Sequence, residues 1–95
     1  MLLGKVVGTV VSTKKDEKLE GLKLYIVQCI NLECKPTGAI VIAVDSVGAG
    51  VDEIVLLASG SSARQTNITK DKPVDTVIMA IVDILETDGV VRYKK

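Results

Sequence analysis

The chain has 95 residues, 47% of them hydrophobic, with twelve basic residues set against twelve acidic ones and no histidine. Cancelled charge leaves no long-range field to gather nucleic acid, an anionic membrane surface or a charged substrate. The missing histidine removes the commonest general base, the usual zinc ligand and every Ser-His-Asp or Cys-His arrangement.

A chain of this length makes one domain, 1–95, and its apolar share exceeds what a lone small core covers, so part is expected to lie under other subunits. Val, Ile and Thr make up roughly a third of the residues, which favours strands over helices. Tyr25 and Tyr93 are the sole aromatics, too few for a base-stacking platform. No apolar run approaches the roughly 20 residues of a membrane span, and the N-terminus lacks the signal-peptide pattern, so a cytoplasmic protein is expected. Cys29 and Cys34 are then expected as reduced thiols, and two thiols without histidine do not complete a tetrahedral zinc site.

Met1 to Ser12 is a β-branched run with Gly4 and Gly8 inside it and predicts a curved first strand with a bulge or a close backbone approach. Thr13 to Glu20 is a charge run with Leu19 as its one large apolar residue and predicts a solvated loop. From Leu22 to Ile30, Leu22, Leu24, Ile26 and Gln28 alternate with Lys23, Tyr25, Val27 and Cys29, the pattern of a half-buried strand. Asn31 to Gly38 reads as a turn, and Ala39 to Val44 as a strand covered on both faces. Pro73 introduces Val74 to Leu85, predicted as one strand with a helical turn near Asp75 as the alternative. Asp88-Gly89 is a turn signal before a last short strand, Val90 to Tyr93. Five or six glycine-interrupted strands predict an all-β fold, a small closed barrel.

Two segments could carry chemistry. Gly48-Ala49-Gly50 begins like a dinucleotide fingerprint, but Glu53 stands where the third glycine belongs, and Asp52 and Glu53 would repel a pyrophosphate. A tight turn between strands, with both glycines at positive φ or against a close neighbour, accounts for it better. Gly60-Ser61-Ser62-Ala63-Arg64 starts like a nucleophile elbow, yet Arg64 holds the closing glycine position and nothing can activate a serine. A short helical turn capped by Ser61 or Ser62 is expected instead. Asp45, Asp52 and Glu53 do not follow calcium-loop spacing, and one of them is expected as the ion-pair partner of Arg64, within the chain or across an interface. Catalytic residues, metal ligands and cofactors are not expected. Asn67-Ile68-Thr69 is a glycosylation sequon in form alone.

Taken together, Gly4-Lys5-Val6-Val7-Gly8-Thr9-Val10-Val11 with Lys14, Leu19-x-Gly21-x-Lys23-Leu24, Ala43 to Gly50 with Glu53 and Val55-Leu56, Gly60 to Arg64, and Val74-Asp75 with Ile81-Val82-Asp83 resemble the bacterial microcompartment vertex family, the EutN/CcmL family of ethanolamine-utilisation compartments and the carboxysome. The resemblance runs from Met1 to about Asp83 in order. It departs from the family pattern in the Asn31 to Thr37 connection and in the tail after Glu86.

The resemblance implies a five-stranded OB-like barrel with one short helical turn. It also implies a homopentamer that closes the five-fold corners of a polyhedral shell alongside hexameric shell proteins, with enzymes enclosed, and no catalysis of its own. Carried onto this chain, it points to Val47, Gly48, Ala49 and Gly50, and to Gly60, Ser61, Ser62, Ala63 and Arg64, as subunit contacts or the rim of a central opening. A generic oligomeric scaffold and an OB-type nucleic-acid-binding barrel are the alternatives, the latter requiring a basic, aromatic face.

Overall fold

The computed structural model describes residues 1–95 and holds seven strands and two 3-10 turns, with no α-helix. Strands β1 (Leu2–Val10), β2 (Leu24–Ile30), β3 (Pro36–Asp45), β4 (Ile54–Ser59) and β5 (Thr76–Ile81) close a barrel in the order β1-β2-β3-β5-β4, with β4 returning to β1. Every neighbouring pair is antiparallel except β3 and β5, which run parallel. Strands β6 (Ile84–Thr87) and β7 (Val90–Lys94) form a separate hairpin. The mainly β, five-stranded barrel predicted from sequence is therefore the fold, with 3-10 turns at Glu17–Leu19 and Gly60–Arg64 where one helical turn is expected. The first of these interrupts the predicted charged loop, where the Asp16 side chain accepts from the Lys18 amide.

β1 reaches both of its partners by bending. Its register against β2 shifts between Val6 and Gly8, so Val7 is the extra residue of a bulge. At Gly4 a side chain has no room, because a Cβ there would run into Val27 Cγ1 and lie 3.3 Å from Leu57 Cδ1. The barrel interior is filled by Val6, Tyr25, Val27, Cys29, Ala43, Val55, Leu57 and Ile78. Burial in β2 thus falls on Tyr25, Val27 and Cys29, while Leu24, Ile26 and Gln28 are half-buried on the outer face.

Two further clusters cover parts of the outside. Val44, Ala58 and Val77 are roofed by Ala63 and Val74, with Leu19 and Leu22 at the margin. Ile30, Ile54 and Val82 are roofed by Cys34 and by Leu85 and Tyr93 of the hairpin. Cys29 is buried and Cys34 half-buried, both as free thiols.

Several predicted boundaries move. The strand expected to be covered on both faces, Ala39 to Val44, has Ile40 61% and Ile42 47% exposed, because the outer cluster stops at Val44. β3 also pairs with β5 solely at Val44 and Asp45, which leaves Pro36 to Ala43 with an unpaired backbone edge. The turn before it is shorter than predicted: Asn31 Oδ1 accepts from the Glu33 and Lys35 amides at 2.9 and 3.0 Å, and pairing resumes at Ile30↔Pro36.

The single strand predicted from Val74 to Leu85 is two strands. Val82 donates to the Ile54 carbonyl at 2.8 Å as its last tie to the barrel, and the chain leaves at Asp83 to enter the hairpin. The alternative helical turn near Asp75 is not formed. Asp88 and Gly89 close the hairpin with φ of 52° and 75°, the left-handed pair such a turn requires. Thr69 of the sequon is fully buried, and its hydroxyl pairs with that of Thr66 at 2.6 Å to brace the loop before β5.

Gly4→Ala should destabilise the barrel by about 1–3 kcal/mol through overpacking. Gly8→Ala, where the nearest atom is Ile26 Cδ1 at 3.4 Å, should cost much less. Urea unfolding of the two variants checks the difference.

Candidate functional site

The Val47 to Gly50 turn joins β3 to β4 and is built around Asp45. Its carboxylate accepts from the amides of Val47, Gly48 and Ala49, each at 3.1 Å. Aspartate suits this position because a short carboxylate satisfies several successive backbone donors that the turn would otherwise leave without partners. Gly48 supplies the left-handed backbone at φ 79°, with open space where its side chain would be. Gly50 lies outside that region and has a close neighbour instead, Glu53 Oε1 standing 3.4 Å from where its Cβ would be, while Asp52 at φ 74° makes the second left-handed bend.

Ala49 is 4% exposed and belongs to the inner core cluster. Its carbonyl takes a 2.6 Å hydrogen bond from the buried Tyr25 hydroxyl, which fixes the turn across the barrel mouth. Val47 and Gly48 remain exposed. The turn ends on Glu53, whose Oε1 accepts from the Gly50 amide at 2.6 Å and whose Oε2 meets Lys95 Nζ at 2.6 Å. The Lys95 ammonium first and the Gly50 amide second hold the Glu53 carboxyl below the ordinary glutamate range, and Glu53 raises Lys95 in return.

The second segment, the 3-10 turn Gly60–Arg64, sits between β4 and β5. Gly60 bends it at φ 64° and donates to the Asp75 carbonyl at 2.8 Å, and Ala63 is fully buried beneath it. Neither Ser61 nor Ser62 caps it: the capping position is Ser59, whose side chain makes no capping bond, and all three serines face solvent. Arg64 is exposed and donates from Nη1 to the Val74 carbonyl at 3.1 Å.

Within the chain the pairing expected for Arg64 is not made. Asp45 is committed to the turn amides, Glu53 to Gly50 and Lys95, and Asp52 stands 4.0 Å from Lys5. The three carboxylates thus serve three separate tasks, and no group of three potential metal-binding side chains converges. No hydrogen bond joins the Val47–Gly50 turn to the Gly60–Arg64 segment, and their buried alanines belong to different clusters. Sequence reasoning missed the Tyr25 to Ala49 tie and the reach of Lys95 to Glu53, both long-range contacts. The D-S-V-G spacing after a strand was the available signal for Asp45 as a turn former.

Asp45→Ala should cost about 1–3 kcal/mol, since the amides it satisfies lose their acceptor. Gly48→Ala should cost about 1 kcal/mol, and more than Gly50→Ala, because it alone forces a side chain into the left-handed region. Thermal melts rank the three. For Glu53 the sign follows from its lowered folded-state pKa: its contribution is present above the ordinary glutamate range and is lost as pH falls through the lowered value. Between about pH 5 and pH 3 the native protein should therefore lose more stability than Glu53→Gln, as read by urea midpoints across that range.

Comparison with known proteins bears on the family of the whole chain. Residues 1–83 match the family described as ethanolamine utilisation protein EutN/carboxysome. The microcompartment shell vertex protein GrpN of Rhodospirillum rubrum is 47% identical over 92% of this chain and 98% of its own. The carboxysome shell vertex protein CcmL of Gloeobacter violaceus is 40% identical over all of this chain and 95% of its own. Among solved structures, CcmL of Nostoc sp. PCC 7120 superposes with a TM-score of 0.96 at 43% identity, covering both chains completely. The pentameric GrpN shell protein of R. rubrum superposes at 0.83, covering 92% of this chain and all of that one. With the family match spanning residues 1–83 and identities of 40 to 47% carried over at least nine tenths of the chain, the protein belongs to the EutN/CcmL family of bacterial microcompartment shell vertex proteins.

Proposed function

We propose that five copies of this chain close into a ring that caps a vertex of a bacterial microcompartment shell, as a structural piece without catalysis. The observation that carries the reading to particular residues is the uncovered outer face of β2 and β3. There Ile40 and Ile42 are exposed beside half-buried Ile26, next to the unpaired edge of β3. The stripe continues into a groove of about 200 Å³ lined by Leu19, Leu24, Ile42, Val44, Pro73 and Val74, with Asp75 and Thr76 as its polar margin. An apolar stripe on a short chain is normally covered in the working assembly. The same face argues against a nucleic-acid-binding barrel, which would need cations and aromatics where this chain has isoleucines.

A ring is built from head-to-tail contacts, so each subunit needs two different complementary patches. In this reading the β2–β3 face is one patch, and the Val47–Gly50 turn and the Gly60–Arg64 segment form the other or line the central opening. Arg64, with no carboxylate in its own chain, pairs with an acid of the next subunit. Asp52 is the candidate, being 82% exposed and weakly held by Lys5. The flanking partners are hexameric shell proteins, and the enclosed enzymes are met indirectly. Residues 1–95 form one domain, with the hairpin as its appendage.

Native mass spectrometry over a dilution series tests the ring. The expected result is a pentamer for the native chain and monomer for Ile42→Lys, which adds a charge to a 47% exposed position and should leave the circular dichroism unchanged. Arg64→Ala should dissociate at higher concentration than the native ring. A native chain that stays monomeric at micromolar concentration overturns the proposal. A ring indifferent to Arg64→Ala removes that residue from the interface.

A further inference from the structure

We infer that Glu53 couples the C-terminal hairpin to the Gly50 end of the β3–β4 turn, so that seating of the hairpin on the barrel sets how firmly that end of the turn is held. A two-stranded hairpin is marginal in water by itself and depends on what it packs against. This one is seated by two different means. Leu85 and Tyr93 press onto the Ile30, Ile54 and Val82 cluster, and Lys95 reaches back from the end of β7 to Glu53 while its own amide donates to the Asp83 carbonyl at 2.8 Å. The family match ends at residue 83, one position before β6, so the device hangs on the outer boundary of the matched barrel.

The two carboxylate oxygens of Glu53 have different partners. Oε2 takes the Lys95 ammonium and Oε1 the Gly50 amide, each at 2.6 Å. At its first half the turn is anchored by Asp45, which holds the Val47, Gly48 and Ala49 amides, and by Tyr25, which holds the Ala49 carbonyl; at its second half the backbone ties are the Glu53 amide to the Gly50 carbonyl at 3.3 Å and the Asp52 amide and Glu53 carbonyl to Val6 at 2.7 and 3.0 Å. The Gly50 amide donates to the Glu53 side chain and not to Asp45, whose carboxylate is taken up by residues 47 to 49. With Lys95 withdrawn, the Glu53 carboxylate loses the charge that orients it and turns toward solvent. Loosening then reaches Gly50 and stops short of Ala49, a boundary that separates coupling from general softening of the protein.

Amide hydrogen exchange of the full-length protein, read residue by residue by NMR, tests this. In Lys95→Met the Gly50 amide should exchange about two- to fivefold faster, the range of an exposed ion pair, with Ala49 unchanged. Lys95→Arg should restore the native rate. Leu85→Ser, which unseats the hairpin from its apolar side without touching Glu53, Lys95 or Gly50, should accelerate Gly50 exchange in the same way. Unchanged Gly50 exchange in Lys95→Met overturns the inference. So does a Leu85→Ser protein whose hairpin amides lose protection while Gly50 keeps its own, or one in which Ala49 and Gly50 accelerate together.

Discussion

Strand β1 must hydrogen-bond along both edges at once, to β2 on one side and β4 on the other, and the barrel exists only if it can. Two strands that diverge from a common neighbour force that neighbour to bend, and a bend needs either an extra residue or a missing side chain. β1 uses both: the bulge at Val7, and the bare Cα of Gly4 against Val27 and Leu57. Everything inside the barrel follows from this closure, because it brings Val6, Val27, Val55, Leu57 and Ile78 around one axis.

The mouth of the barrel is finished by the β3–β4 turn, where polar and apolar requirements meet within a few residues. Ala49 contributes to the core while its neighbours' amides are satisfied by Asp45 and its carbonyl by Tyr25. The exposed residues Val47 and Gly48 are then presented on a loop whose shape is set from beneath, as the proposed ring would need of a contact made identically in every copy.

Much of the fold was legible because β-branched runs separated by turn residues leave few alternatives: β1, β2 and the Asp88-Gly89 hairpin turn all lie where the sequence puts them, within a residue or two. What was not legible has a common cause. Ala39 to Val44 and, within Val74 to Leu85, Val77 to Val82 are wholly apolar, so alternation there carries no information about which face is covered, and Asp83 alone marks the place where the strand leaves the sheet. The exit at Asp83 depends on Val82 being claimed by Ile54 from β4, a tertiary contact. Similarly, Arg64 and the three acids were grouped by charge alone. Backbone amides turned out to be the partners of Asp45 and one of those of Glu53, because a turn's donors compete for carboxylates as effectively as a guanidinium does.

The open side of β3 has a consequence for the life of the chain before assembly. From Pro36 to Ala43 one row of backbone donors and acceptors is unpaired in the single subunit, flanked by exposed Ile40 and Ile42, so a newly made copy presents a sticky, extended template to any passing strand. If the proposed ring covers it, such a surface is safe only while a sister chain arrives faster than an unrelated strand. The concentration of sister chains at the site of synthesis, and the speed with which they find each other, then become conditions for solubility: chains made scarce or late are the ones at risk of aggregating.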